Sequence, residues 1–166
     1  MDTRHLYLFT LEVEPLAVGE AYKDLPLHCT LMHRFWSELG PDELAAQTAP
    51  VFAGTQPIIF TFGTKEMFGP PDRPTPVTTI EESAEHTGLH MQLYRLLNGL
   101  GVTYTAPQWT GEGHRAHVTD RAEAAVAPGT QFRSGAAYLV EVVEGVEKTR
   151  QVRSRFEFLA AERDWG

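Results

Sequence analysis

Residues 25–31 read Leu-Pro-Leu-His-Cys-Thr-Leu, and residues 113–119 read Gly-His-Arg-Ala-His-Val-Thr. Each stretch holds a histidine and a threonine two positions apart, around an apolar residue. In a strand, alternate side chains share a face. His28 and Thr30 therefore point one way and Cys29 the other. The same holds for His117 and Thr119 against Val118. From Leu25 to Phe35 the odd positions, Leu25, Leu27, Cys29, Leu31, His33 and Phe35, read as the core side. The even positions His28, Thr30, Met32 and Arg34 read as the opposite face. Two such units, one in each half of the chain and facing each other across a groove, would form a symmetric site.

Working outward, His5–Val13 is rich in aromatic and branched residues and predicts a strand. Pro57–Gly63, Pro76–Ile80, Arg115–Thr119, Ala136–Val143 and Gln151–Leu159 are further strands. Pro41–Phe52 predicts a short helix with Asp42 and Glu43 at its favourable end. Thr87–Leu100 predicts a stronger one, with Leu89, Leu93, Leu96, Leu97 and Leu100 in one stripe. Thr105–Gly113 reads as loop. Helices alternate with hairpin-like strand pairs, which favours an α+β class over a doubly wound parallel sheet. The 166 residues fit a single domain with room for two packed lobes.

Composition narrows the function. Twenty-two acidic residues against 14 basic ones give a net charge of −8, the wrong balance for gripping long nucleic acid. The charge is uneven. Residues 1–83 carry 12 acidic and 5 basic side chains, and residues 84–166 carry 10 and 9. Arg115, Arg121, Arg133, Lys148, Arg150, Arg153 and Arg155 all lie in the last third, where an anion is best received. The single cysteine, Cys29, excludes an internal disulfide and a cysteine-based zinc knuckle; its parity makes it packing rather than nucleophile. No apolar run is long enough for a membrane span, and the N-terminal residues lack signal-peptide features, so a cytoplasmic protein without membrane contact is expected. His86 and His90 have the spacing of half a metal site, but no zinc-protease glutamate or thiolate joins them. No metal and no cofactor are expected.

The paired His-x-Thr units suit phosphodiester cleavage. One histidine removes a proton from the attacking oxygen and the other delivers one to the leaving oxygen. The threonine hydroxyls donate to the non-bridging phosphate oxygens. Imidazoles roughly 5–8 Å apart would let one phosphate reach both. Arg34 and Arg115 share the parity of their histidines and are candidate phosphate clamps. Trp109, Phe132 and Tyr138, with Tyr7 and Phe9, are candidates for stacking a base. His114 and the loop from Lys65 to Arg73 are placed to flank a ligand.

With these motifs, residues 25–31 and 113–119 resemble the 2H phosphoesterase superfamily, which includes the LigT-like proteins called 2'-5' RNA ligases and the 2',3'-cyclic nucleotide phosphodiesterases. The resemblance extends through element order and length. It implies a bilobal fold over residues 1–166: two pseudo-symmetric lobes, each an antiparallel sheet backed by helix, around a central cleft. It also implies His28 and His117 as acid and base, and Thr30 and Thr119 as phosphate-binding hydroxyls. The sequence departs from the pattern in Ala116, where many relatives have proline, in Asp120, where many have a hydrophobic residue, and in His33-Arg34. Three functions stand at this point. The first is metal-independent hydrolysis of a small cyclic nucleotide or a short, linear or cyclic oligonucleotide. The second is RNA end processing or 2'-5' ligation. The third is nucleotide binding without catalysis.

Overall fold

The computed structural model describes residues 3–120 and 126–159. Arg121 lies outside them. The described strands are β1 (His5–Glu12), β2 (Ala21–Tyr22), β3 (His28–Ser37), β4 (Ile58–Phe68), β5 (Thr75–Ile80), β6 (Thr103–Tyr104), β7 (His117–Thr119), β8 (Gln131–Ser134), β9 (Ala136–Glu144) and β10 (Lys148–Glu157). Two helices, α1 (Pro41–Ala53) and α2 (Ala84–Gly99), complete the α+β arrangement. The segment 105–113, read as loop, contains two short 3-10 turns, Pro107–Trp109 and Gly111–Gly113.

All the pairings are antiparallel. They trace one path, β2-β10-β9-β1-β3-β7-β5-β4-β8, with β6 also on β3. The two sheets expected from the sequence are thus joined into a single ladder among the described residues. The joint is the pairing of Cys29 in β3 with Val118 in β7.

Apolar periodicity sets the layers. Leu44 and Phe52 of α1, and Leu89, Leu93 and Leu97 of α2, pack into one core with Cys29, Leu31, Phe35 and Val118. Each buried leucine contributes about 1.5–3 kcal/mol over an exposed one. The helices therefore cover the Cys29–Val118 face, and the histidines and threonines of both tripeptides are directed to the other. On that other face a smaller core forms over β1, β9 and β10. There Leu16 and Leu25, from the β1–β3 connection, pack on Leu8, Tyr138, Val140 and Val142.

One expectation fails locally. From Tyr7↔Phe35 to Phe9↔Met32, β1 advances two residues and β3 three; from Phe9↔Met32 to Thr10↔Thr30, β1 advances one and β3 two. Strand β3 thus holds two extra residues between Thr30 and Phe35, as bulges. Leu31 and Met32 are both buried, whereas His33 and Arg34 both line the groove face. His33, assigned to the core by strict alternation, is turned outward by the bulge.

Candidate active site

The Cys29↔Val118 pair fixes the geometry of the two tripeptides. Extended antiparallel, it sets His28 across from Thr119 and Thr30 across from His117. The units do not face each other across a groove, as the sequence suggested; they lie side by side on neighbouring strands. The two histidines occupy a diagonal of the ladder, roughly 7–8 Å by sheet geometry. The row continues on both sides, with Thr79 of β5 opposite His117 and Thr10 of β1 opposite Thr30. Glu12 stands cross-strand from His28.

Both imidazoles are held the same way. His28 Nδ1 lies 2.8 Å from the Pro26 carbonyl oxygen, and His117 Nδ1 lies 3.0 Å from the Arg115 carbonyl oxygen. A carbonyl only accepts, so Nδ1 is the donor in each ring, and in the neutral ring Nε2 carries the lone pair. In both units the anchor is the residue two positions upstream. An alanine at position 116 does not disturb it, because the anchoring carbonyl belongs to residue 115.

The surroundings of the two rings differ. Burial lowers the pKa of His117, and the Arg115 charge adds to the effect; the bond to the Arg115 carbonyl opposes it. Phe68, at the end of β4, packs edge-on against the His117 ring with centroids 4.8 Å apart. The Arg115 guanidinium lies over the same phenyl ring, 5.0 Å from its centroid, and pairs with Glu66 at 3.4 Å. The start of the 65–73 segment therefore stands beside His117. Lys65 anchors the strand end behind it. Its Nζ donates to Thr78 Oγ1 at 2.6 Å, to Asp120 Oδ1 at 3.1 Å and to the Val126 carbonyl at 2.8 Å. Asp120 thereby ties the end of β7 to β4 and β5.

A groove of about 290 Å³ opens beside the tripeptides, lined by His28, Thr30, Thr119, His33, Arg34 and Arg150, among others. His33 is held below its usual pKa by burial first, then by the charges of Arg34 and His117. His33 and Arg150 are not singled out as site residues by the sequence. Only their position on bulged and neighbouring strands brings them here.

Other candidates have different roles. Tyr138 is fully buried; its hydroxyl donates to Glu12, receives the Leu16 amide at 3.1 Å and receives Arg155 Nε at 3.3 Å. It shares the face of the tripeptides but is roofed by Leu16, so it cannot stack a base. Phe132 stacks on Phe60 with centroids 6.1 Å apart, on β8 at the end of the ladder. Tyr7 and Phe9 are core residues. Trp109 is exposed but lies outside the residues lining the groove. Arg115 is the salt-bridged neighbour of His117 rather than a wall of the groove. Cys29 is fully buried, and burial pushes its thiol up to about 12, consistent with packing.

A second cavity, about 580 Å³, lies between α2 and the 107–114 segment and includes His86, His90, His114 and Arg115 in its lining. His90 is committed at both nitrogens, 2.7 Å from the Leu31 carbonyl oxygen and 2.9 Å from the Gly111 amide. His114 stacks on His90 at 4.0 Å, and its Nε2 lies 3.1 Å from His86 Nε2. The three rings fasten the 107–114 segment to the helix. Among the described residues no three histidine, cysteine, aspartate or glutamate side chains are arranged to hold a metal ion.

The structure is similar to one described as a phosphoesterase, with a TM-score of 0.62 and 12% identity over 96% of this chain and 100% of that one. It is similar to the protein TT0787 of Thermus thermophilus, with a TM-score of 0.58 and 15% identity over 92% and 97%. It is also similar to E. coli LigT in complex with NADP+, with a TM-score of 0.55 and 12% identity over 93% and 98%. The chain therefore has the LigT-like phosphoesterase fold along nearly its full length. No family model matches the sequence, and no curated protein matches it significantly.

Proposed function

We propose that this chain is a 2H-type phosphoesterase that hydrolyses a phosphodiester in a small cyclic nucleotide or short oligonucleotide without a metal ion. The observation that carries the reading is the register of the two His-x-Thr units. It sets both imidazoles and both hydroxyls on one face, with each Nδ1 anchored on the carbonyl two residues upstream. In this reading the halves of the ladder on either side of the β3–β7 joint are the two lobes of one domain spanning residues 1–166.

For a 2',3'-cyclic phosphate, His117 Nε2 takes a proton from water as its oxygen attacks phosphorus. His28, protonated at Nε2, delivers a proton to the departing 3'-oxygen as the P–O3' bond breaks, and a 2'-phosphate results. Thr30 and Thr119 donate to the non-bridging oxygens, whose charge grows in the transition state. The assignment of base to His117 follows from its lowered pKa, which keeps the ring neutral. His28, the other imidazole of the pair, is then assigned the acid. Structures of E. coli LigT with 3'-AMP and with ATP support a nucleotide as the ligand class. No feature of the geometry favours end-joining over hydrolysis.

The test is a panel of 2',3'-cyclic nucleotides and short linear and cyclic oligonucleotides, assayed in EDTA. Turnover that persists in EDTA and falls in histidine variants supports the reading. Binding of these ligands with no turnover makes the protein a nucleotide binder instead.

A further inference from the structure

We propose that Arg34 and Arg150 form a second anion subsite in the groove, and that the substrate carries a second phosphate one nucleotide away from the one held by the tripeptides. This rests on the reading of His28 and His117 as the reacting-phosphate site and adds a substrate class to it.

Some arginines of the described residues carry a carboxylate partner, and others, Arg73, Arg95 and Arg133 among them, show none. Arg153 is paired with Glu141, Arg155 with Glu12 and Glu157, and Arg115 with Glu66. Among the described residues, Arg34 and Arg150 have no carboxylate partner. Arg150 Nη1 donates to the Lys23 carbonyl at 2.5 Å, which fixes the guanidinium without neutralising it. Both side chains line the groove, where Asp24 is the one carboxylate in the lining. Two guanidinium groups without a carboxylate partner in a concave site draw an anion to it. They sit there although the first half of the chain is strongly acidic.

Position gives the spacing. Arg34 stands on β3 and Arg150 on β10, with β1 and β9 between them. Leu8 of β1 and Val142 of β9 also line the groove, so an apolar floor separates the two cations. At this end the groove is apolar below and cationic at the sides; at the other end lie His28, Thr30 and Thr119. His33 lines the same groove. The arrangement suits one phosphate on the tripeptides and the next between the arginines, which bind phosphate through fork-like donors. A 5'-phosphate on a mononucleotide and the adjoining phosphodiester of an oligonucleotide share this chemistry.

Calorimetric titration of the native chain with non-reacting monoester ligands tests it. The probes are 2'-AMP, adenosine 2',5'-bisphosphate and a dinucleotide bearing a terminal 2'-phosphate. The two-phosphate ligands should bind roughly tenfold or more tightly than 2'-AMP at low salt, as expected for added charge-assisted hydrogen bonds. In the Arg34→Gln/Arg150→Gln double variant that ratio should approach one. A gain confined to the bisphosphate identifies a 5'-phosphorylated mononucleotide as the substrate; a gain with the dinucleotide identifies an oligonucleotide. Equal binding of all three, no binding of either two-phosphate ligand, or a ratio unchanged in the double variant overturns the proposal. Turnover of cyclic phosphates is measured separately on the native chain. Its absence, with the affinity ratio intact, defeats the hydrolytic reading and leaves the subsite standing.

Discussion

At the scale of residues, two chemically identical histidines are made different by what surrounds them. Burial first, and then the Arg115 charge, keeps the pKa of His117 below the usual 6.5, and Phe68 packs edge-on against its ring. In the proposed role of base His117 works only when neutral. The rising limb of the pH–rate profile should therefore have its midpoint below 6.5, read from kcat/KM against pH. Phe68→Ala admits water to the ring and removes the surface on which Arg115 rests. That limb should then move to higher pH, with a lower plateau. An unmoved limb in this variant would show that the phenyl ring does not set the basicity of His117. The hydroxyls make a second prediction. Thr30→Val and Thr119→Val keep the shape of the side chain and delete the donor. Each should lower kcat by roughly tenfold to a thousandfold, as loss of an oxyanion donor does, while the thermal midpoint changes little.

At the scale of elements, the histidine stack between α2 and residues 107–114 makes folding sensitive to acid. Burial is the leading cause that pushes His86 to about 4 and His114 to about 3. In the unfolded chain both titrate near 6.5. Between these values the unfolded chain binds more protons than the folded one, so stability falls as pH drops from about 6.5 toward 3. Thermal midpoints measured from about pH 7 to about pH 4 should fall, and His114→Gln should flatten that fall. A midpoint as steep in the variant as in the native chain counts against the stack. Glycines in the same region divide by their space. A Cβ on Gly113 would lie 2.0 Å from the Gln108 carbonyl oxygen, whereas one on Gly88, inside α2, meets nothing within 4 Å. Gly113→Ala should lower the thermal midpoint, and Gly88→Ala should raise stability by about 0.5–1 kcal/mol.

The elements also show what residue order could carry. β1 and β9, buried on both faces, are read from their aromatic and branched residues, whereas the leucine stripe of α2 is read directly because burial acts on one face of it. Both tripeptides can be placed on strands for the same reason. Their mutual position cannot, since it depends on which strand β7 pairs with, and a three-residue strand has no local preference for a partner. The bulges in β3 are likewise silent in a single sequence. They alone bring His33 into the groove beside Arg34. Short β8, four residues long, is not legible because Gln131–Ser134 has too little alternation to register. Tyr138 reads as a stacking candidate only because the roof over it comes from Leu16, 122 positions away.

At the scale of the whole molecule, a net charge of −8 coexists with a cationic groove because Arg34 and Arg150 are gathered on one face. Long-range attraction for a polyanion is weak, so in the proposed function selection of substrate falls to contacts within the groove. Long RNA should compete poorly with a short cyclic substrate at physiological salt, where the Debye length is about 8 Å; inhibition by a long transcript at equal phosphate concentration checks this. The central claim is that His28 and His117 act as one acid–base pair on a shared phosphate. Its most direct measurement is kcat/KM on a cyclic phosphodiester, in EDTA, for the native chain, His28→Ala, His117→Ala and the double variant, with thermal midpoints alongside. Paired action predicts a loss of roughly a hundredfold or more in each folded single variant and little further loss in the double, as for groups that act as a unit. Full activity in either folded single variant would contradict it.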